Sequence, residues 1–191
     1  MNYLLASPLE FLFFRKWRKE LLKGVEGKVL EIGVGIGNNL KYYPLNCEVT
    51  AIDIDKKALD KARKVSIKYE NYHIIEMDGQ ALKFKDKTFD YVITPLSLCS
   101  MPDQIGALTE IYRVLKDNCE LRMMEHVKSN KKYLYNLQSH LNGINKKIFG
   151  CDLIKNTEES VIKAGFKIIY SKNLGIDDMF RYIRAKKQGG S

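Results

Sequence analysis

The stretch VLEIGVGIGNN, from Val29 to Asn39, decides how this chain is read. Val29, Leu30 and Ile32 form a short apolar run suited to a buried strand. Gly33, Gly35 and Gly37 then remove three side chains where the chain turns, and Asn38, Asn39 and Leu40 are expected to open a helix. A strand that ends in such a turn lets a ligand approach the backbone closely, with helix N–H groups aimed at it. The pattern is E-x-G-x-G-x-G and not G-x-G-x-x-G. Glu31 therefore places a carboxylate where a pyrophosphate would be repelled and a positively charged nucleoside welcomed.

Outward from this motif the chain alternates strand and helix. Ser7-Pro8 reads as a helix start, with Ser7 as N-cap and Pro8 in the first turn, and the helix is expected to end near Lys23 and Gly24. Strands are predicted over Lys28–Ile32, Glu48–Asp53, Tyr72–Met77, Phe89–Thr94 and Glu120–Val127. Helices are predicted over Lys56–Tyr69 and Gln104–Leu115. A basic, partly amphipathic stretch follows from Lys131 to Phe149. After it come a helix capped near Thr157 and two β-rich segments, Lys167–Ser171 and Met179–Ala185. Repeated β-α units with buried strands imply an α/β, Rossmann-like, doubly wound and mostly parallel sheet with helices on both faces. Ligands in such sheets sit at the carboxyl ends of the strands.

The 191 residues, 45% hydrophobic and 29% charged, suit one domain with a full core. We expect an N-terminal amphipathic segment over 1–27, the domain over 28–187 and an appended tail over 188–191. Formal charge is +9 and unevenly spread. Residues 1–127 carry 19 Lys/Arg against 18 Asp/Glu, whereas residues 128–191 carry 13 against 5. That excess fits either an acidic partner or a lysine-rich solvated surface. Cys47, Cys99, Cys119 and Cys151 form no C-x-x-C pair, which points to a reducing cytoplasm and away from disulfides or a zinc site. His73 and His140 have no metal-ligand partner at useful spacing, so no metal is expected. No apolar run approaches the ~20 residues needed to span a bilayer.

Two further acids fall at predicted strand ends. Asp53 stands twenty residues after Gly33, where a carboxylate can accept hydrogen bonds from both ribose hydroxyls. Asp78, in MDGQALKF, can accept from an adenine amine while the following N–H groups read the ring; alone, it would more readily be a turn or cap aspartate. Glu31, the three glycines, Asp53, Asp78 and the strand FDYV, in this order, resemble the class I S-adenosylmethionine-dependent methyltransferases. The resemblance runs from Lys28 to Lys186. It implies S-adenosylmethionine as cofactor, S-adenosylhomocysteine as product and a C-terminal antiparallel hairpin completing seven strands. By that likeness Gly33, Gly35 and Gly37 pass close under the methionine part, Asp53 holds the ribose, and Asp78 and Ala81 frame the adenine. Glu31, Asn38, Ile54, Gly79, Gln80 and Pro95 are also expected to bind the cofactor.

The segments TPLSLCSMPDQIGALTEIYRVLK, MMEHV and FGCDLIKNTEESVIKAGF are similar to the small-molecule branch of that family. This branch contains thiol S-methyltransferases, ubiquinone/menaquinone C-methyltransferases and phospholipid N-methyltransferases. The resemblance implies a thiol, an amine head group or a quinone-like carbon as acceptor. Two departures stand out. Lys116-Asp117-Asn118-Cys119 replaces the family's K-P-G-G turn, and no counterpart of the membrane-anchoring N-terminal segment of the animal thiol enzymes is expected. Sulfonium methyl transfer is an in-line displacement in which alignment dominates, worth ~7–11 kcal/mol. A base is required only if the acceptor must lose a proton.

His126 and Glu125 are candidates for a base or acceptor-orienting group and its partner, or else a strand-end pair holding neighbouring loops. Adjacent strand residues point to opposite faces, so both line one cavity only if pairing has ended there. Cys99 and Ser100 are expected near the transferred methyl, Cys99 as a small lining residue and not a nucleophile. The N-terminal helix either closes over the cofactor with Phe13 and Trp17 inward or lies on an anionic membrane. The alternative function is RNA methylation through the basic C-terminal third. Thr94-Pro95-Leu96-Ser97 is not the N-P-P-[YF] motif of base-flipping enzymes, and no RNA-binding module is appended.

Overall fold

The computed structural model describes residues 8–175 and 178–188, with side chains from residue 14 onward except that of residue 149. The Ser7 cap, the Phe13 side chain and the last three residues of the tail lie outside these. In chain order the elements are α1 (Pro8–Leu21), β1 (Gly27–Ile32), β2 (Cys47–Asp53), α2 (Lys56–Ser66), β3 (Tyr72–Glu76) and β4 (Phe89–Pro95). There follow α3 (Gln104–Val114), β5 (Leu115–His126), α4 (Lys132–Phe149), α5 (Thr157–Lys163), β6 (Phe166–Leu174) and β7 (Phe180–Lys187). The strands form one seven-stranded sheet in the order β3-β2-β1-β4-β5-β7-β6. β7 runs antiparallel to β5 and β6, and the other pairings are parallel. This is the expected doubly wound sheet with a terminal hairpin.

The alternation of side chains along each strand divides the core between two faces. Leu30, Ile32, Val92 and Leu121 pack with Leu108 and Ile111 of α3 and Val161 of α5. Val29, Val49, Ile93 and Met124 pack on the other face with Leu59 and Ala62 of α2 and Leu21 of α1. Both faces are buried, so the parallel strands read as nearly continuous apolar runs. α1 ends where Gly24 adopts φ +68°, and the buried Arg122 of β5 donates to the carbonyls of Leu21 and Lys23 there. A guanidinium at a helix C-terminus satisfies free carbonyls and complements the dipole.

Two elements differ from expectation. No helix follows the glycine turn; only a single 3₁₀ turn forms over Leu40–Tyr42. Asn39 is fully buried and spends its side chain on Glu31 and Arg18, not on capping, so no helix N-terminus faces the turn. β5 starts at Leu115, five residues before the predicted start, and absorbs the segment read as a turn. Phe89 pairs with Leu115 and Tyr91 with Glu120, so the residues between bulge out, and Asn118 takes the left-handed conformation that asparagine tolerates.

β1 lies between β2 and β4 because the chain winds outward to β3 before crossing back to β4. Their carboxyl ends diverge there, which opens the crevice where ligands bind in sheets of this type.

Candidate active site

At that crevice the ends of β1, β2, β3 and β4 surround a cleft of about 250 Å³. Gly33 and Gly35 form one wall. Gly33 sits at φ +80°, and a Cβ on it would lie 2.4 Å from Cβ of Ser97. The turn at the end of β1 therefore touches the turn at the end of β4 only because position 33 has no side chain.

Asp53 ends β2 and accepts the Gly35 N–H at 2.8 Å through Oδ2 and the Asp55 N–H at 3.0 Å through Oδ1. Each oxygen keeps a lone pair for a ligand hydroxyl. Asp78, after β3, accepts the Gln80 N–H at 2.9 Å in an Asx turn that presents the 78–80 backbone to the cleft. Gln80 in turn accepts the Asp103 N–H at 2.9 Å, tying this loop to the start of α3. Ile54, Met77, Met101 and Pro102 supply apolar wall. Ser97, in the cleft wall, has a buried hydroxyl with no hydrogen-bond partner among the described residues.

Of the residues singled out from the sequence, Gly33, Gly35, Asp53, Ile54, Asp78, Gly79, Gln80, Pro95 and Ser100 line this cleft together. The lining residues Ser97, Met101 and Pro102 had no sequence signal, because the loop after β4 is placed by a distant side chain.

Several expected contacts are absent from the wall. Glu31 is fully buried beneath the glycine turn, accepting from Asn39 Nδ2 at 2.8 Å and Tyr43 OH at 2.7 Å. Burial pushes its carboxyl up to about 7, against the lowering effect of Tyr43 and of Arg18 on α1. Glu31 thus braces the turn from behind and does not face a cationic ligand. Gly37 also points away. A Cβ there would lie 2.9 Å from Leu40 Cδ1 and 3.1 Å from Ala62 Cα, so its bareness serves the packing of α2. Asn38 and Ala81 are exposed beside the cleft, outside its wall. Trp17 packs on Phe14, Phe180 and Gly175, and no described residue of α1 lines the cleft.

Glu125 and His126 do not form a pair. Fully buried, Glu125 accepts the backbone N–H groups of Ser97, Leu98 and Cys99 at 3.2, 3.2 and 3.3 Å and so holds the turn after β4. Burial lifts it to about 8, opposed by those donors. His126 faces elsewhere. Its ring lies 4.1 Å from that of Phe180, and Nδ1 is 3.3 Å from Sγ of Cys151. The Cys151 sulfur in turn lies 2.8 Å from that of Cys99. Contact with Cys99, together with His126, holds the Cys151 thiol below its ordinary range while Cys99 is pushed up. Two of the four cysteines that looked isolated in sequence, Cys99 and Cys151, therefore meet across the fold.

Among the described residues lining the cleft there is no histidine, lysine, arginine or cysteine. The cleft wall thus offers carboxylates and backbone groups to a polar ligand, and its β4 end carries no charged side chain.

Residues 30–123 match the family model described as "Methyltransferase domain". The chain is 32% identical over 152 residues to thiol S-methyltransferase TMT1A of Homo sapiens, covering 75% of this chain and 62% of that protein. It is 33% identical over 120 residues to demethylmenaquinone methyltransferase of Staphylococcus aureus strain MRSA252, covering 59% of this chain and 50% of that protein. The chain thus spans less than two thirds of the length of these relatives. Among solved structures, phosphoethanolamine N-methyltransferase 2 of Haemonchus contortus superposes with a TM-score of 0.75 at 17% identity, over 91% of this chain and 53% of that one, which speaks to the fold.

Proposed function

We propose that this chain, whose residues 30–123 match a methyltransferase domain, is a class I enzyme that transfers a methyl group from S-adenosylmethionine to a small-molecule acceptor. One observation carries the reading. The ends of three neighbouring strands bring Gly33 and Gly35, Asp53, and the Asp78–Gln80 turn around a single cleft. In this reading Asp53 takes the ribose hydroxyls, the Asp78–Gln80 backbone reads the adenine edge, and Ile54 and Met101 cover its faces. The methionine part passes beside Gly33, where any larger side chain would meet Ser97. The sulfonium methyl then points toward Pro95, Ser97 and Ser100 at the β4 end.

When bound, the cofactor supplies an activated methyl group and a neutral leaving thioether. The protein's task is to align the acceptor and exclude water. The relatives' names span a thiol and a quinone precursor, and a small acceptor is what they share. The alternative reading is RNA methylation through the basic C-terminal third. Within the basic C-terminal third, six of the thirteen Lys/Arg (Lys146, Lys163, Lys172, Arg181, Arg184 and Lys187) are each tied to an acidic side chain, which lowers the charge free to meet a polyanion.

Calorimetric titration with S-adenosylmethionine tests the cofactor assignment, and the absence of measurable binding would sink it. A panel of thiols, amines, quinols and phospholipids, read out as S-adenosylhomocysteine, then identifies the acceptor. Turnover of RNA alone would overturn the small-molecule reading.

A further inference from the structure

We propose that Cys99, Cys151 and His126 bind a zinc ion as three protein ligands, and that the fourth position receives a thiol acceptor as its thiolate. The second half rests on the methyl-transfer reading above; the first half stands without it. The candidate ligand atoms all lie within 4.8 Å of one another. They arrive from three separate segments: the turn after β4, the last residue of β5 and the loop after α4. Each is placed by the surrounding fold. Glu125 fixes the Cys99 N–H, and the Asp152 N–H donates to the Cys99 carbonyl at 3.0 Å. Asn145 donates to the Cys151 carbonyl at 2.6 Å, and Asn142 bridges Asp152 and Leu153. Phe180 backs the His126 ring.

Two sulfurs 2.8 Å apart are closer than unbonded sulfurs settle and too far for a disulfide, whose bond is about 2.05 Å. Sulfurs about 2.3 Å from a shared tetrahedral ion stand roughly 3.8 Å apart, within reach of a small rotamer change. Two thiolates and a divalent cation give a neutral set, which suits a site where both cysteines are buried. Three protein ligands with one open position is the composition of catalytic zinc sites, whereas structural sites are closed by four. Cys99 stands between Ser97 and Ser100, both in the cleft wall, so an ion held behind that wall would adjoin the β4 end of the cleft.

Metal loading releases the two cysteine protons, and binding of R–SH as thiolate releases a third to solvent. The thiolate sulfur then attacks the methyl carbon. The new S–CH₃ bond forms as the sulfonium C–S bond breaks, and its electron pair stays on the sulfur of S-adenosylhomocysteine. The product R–S–CH₃ is neutral and leaves. This arrangement answers how a cleft without a basic side chain would handle a protonated thiol, since a coordinated thiol is deprotonated outright.

The test is metal analysis of protein purified without chelator, followed by exchange to Co(II). One zinc per chain and a sulfur-to-cobalt charge-transfer band are expected, the band growing when 2-mercaptoethanol is added. Cys151→Ser and His126→Asn should each weaken zinc affinity by more than about 100-fold, beyond what outer-shell changes cause. No bound zinc and no band, a Cys99–Cys151 disulfide in the purified protein, or unchanged affinity in both variants would overturn the site. A band indifferent to 2-mercaptoethanol would overturn the thiolate role. Titration of the metal-free protein with S-adenosylmethionine is independent of both, so failure of the cofactor reading is seen separately.

A different observation carries a second inference. We infer that α4 lies on an anionic lipid surface. Tyr133, Leu137, Leu141, Ile144 and Ile148, spaced by three or four residues, are 67, 53, 44, 62 and 57% exposed and share one face. The opposite face is committed to the fold, with Gln138 donating to the Val127 and Leu153 carbonyls. α4 contains no Asp or Glu, and Lys131, Lys132 and Lys147 stand at its ends. An exposed apolar stripe with lysines at both ends suits an anionic interface.

Co-sedimentation of the full chain with equimolar phosphatidylserine–phosphatidylcholine vesicles should retain it, with pure phosphatidylcholine retaining less and added salt releasing it. Leu137→Asp and Ile144→Asp should each abolish retention while circular dichroism stays unchanged. No retention on anionic vesicles, retention indifferent to both variants, or a dimer in light scattering that Ile144→Asp dissolves would overturn the inference.

Discussion

The carboxylate of Asp53 accepts the backbone N–H of Gly35 at 2.8 Å, joining the end of β2 to the glycine turn of β1. The acid proposed for the ribose is thus also a clasp on the loop proposed for the methionine part.

This double duty predicts the outcome of substitution at Asp53. Asp53→Ala removes the acceptor of two ribose hydrogen bonds and should weaken S-adenosylhomocysteine binding by about 3 kcal/mol, on the order of a hundredfold in Kd. Asp53→Asn retains an acceptor for Gly35 and should lose less. Isothermal titration checks both, and wild-type affinity in Asp53→Ala would refute the ribose assignment.

Gly33→Ala tests the close approach of the β1 and β4 turns. The new Cβ must adopt φ +80° and would meet Ser97 Cβ at 2.4 Å. We expect a stability loss of about 2–4 kcal/mol and loss of cofactor binding. Gly150→Ala is the matched control. It has φ +71° with nothing within 4 Å, so it should cost only the ~1–2 kcal/mol of the left-handed conformation and leave binding intact. Equal effects in urea melts would contradict the crowding argument.

Glu125 is expected to act as an anchor, and stability is the property to measure. Glu125→Ala orphans three buried backbone donors and should cost about 3 kcal/mol or more. Glu125→Gln keeps an acceptor oxygen and should cost about half as much. If alanine and glutamine melt alike, the hydrogen bonds to residues 97–99 are not what holds the turn.

Glu31 sets a pH dependence whose sign follows from burial. Its folded-state value, about 7, lies above the ordinary 4.5, so the native state binds a proton more tightly than the unfolded chain does. The stability this contributes is fully present below about pH 4.5 and is lost as pH rises through 7. The gap corresponds to about 3 kcal/mol at most. Urea midpoints from pH 5 to 8 should therefore fall more in the wild type than in Glu31→Gln, and parallel profiles would exclude the assignment. Glu125, raised to about 8, acts in the same direction.

Much of the fold was readable because the relevant signals are local. An apolar run, a glycine turn and a strand-end acid recur at spacings that backbone geometry dictates, so Gly33, Gly35, Asp53 and Asp78 converge on the cleft as expected. The glycine motif itself divided. Gly33 and Gly35 serve the cleft, whereas Gly37 serves packing against Ala62, and spacing alone does not separate a bare backbone needed by a ligand from one needed by a helix. The helix expected after Asn39 failed for a related reason. Asn39, one of the residues expected to open that helix, is drawn inward by Glu31 and Arg18, a tertiary demand that outweighs local propensity.

What the chain determines by itself is the order of its strands and helices and the placement of small and acidic residues at strand ends, because these depend on periodicity and on neighbours a few residues apart. Which carboxylate meets solvent and which is buried was decided only by the tertiary structure, and so was the meeting of Cys99, His126 and Cys151. These residues stand 27 and 25 positions apart, and only the pairing of β4 with β5 and the return of the loop after α4 brings their side chains into contact. Desolvation and long-range contact are properties of the packed molecule, and no short window of sequence contains them.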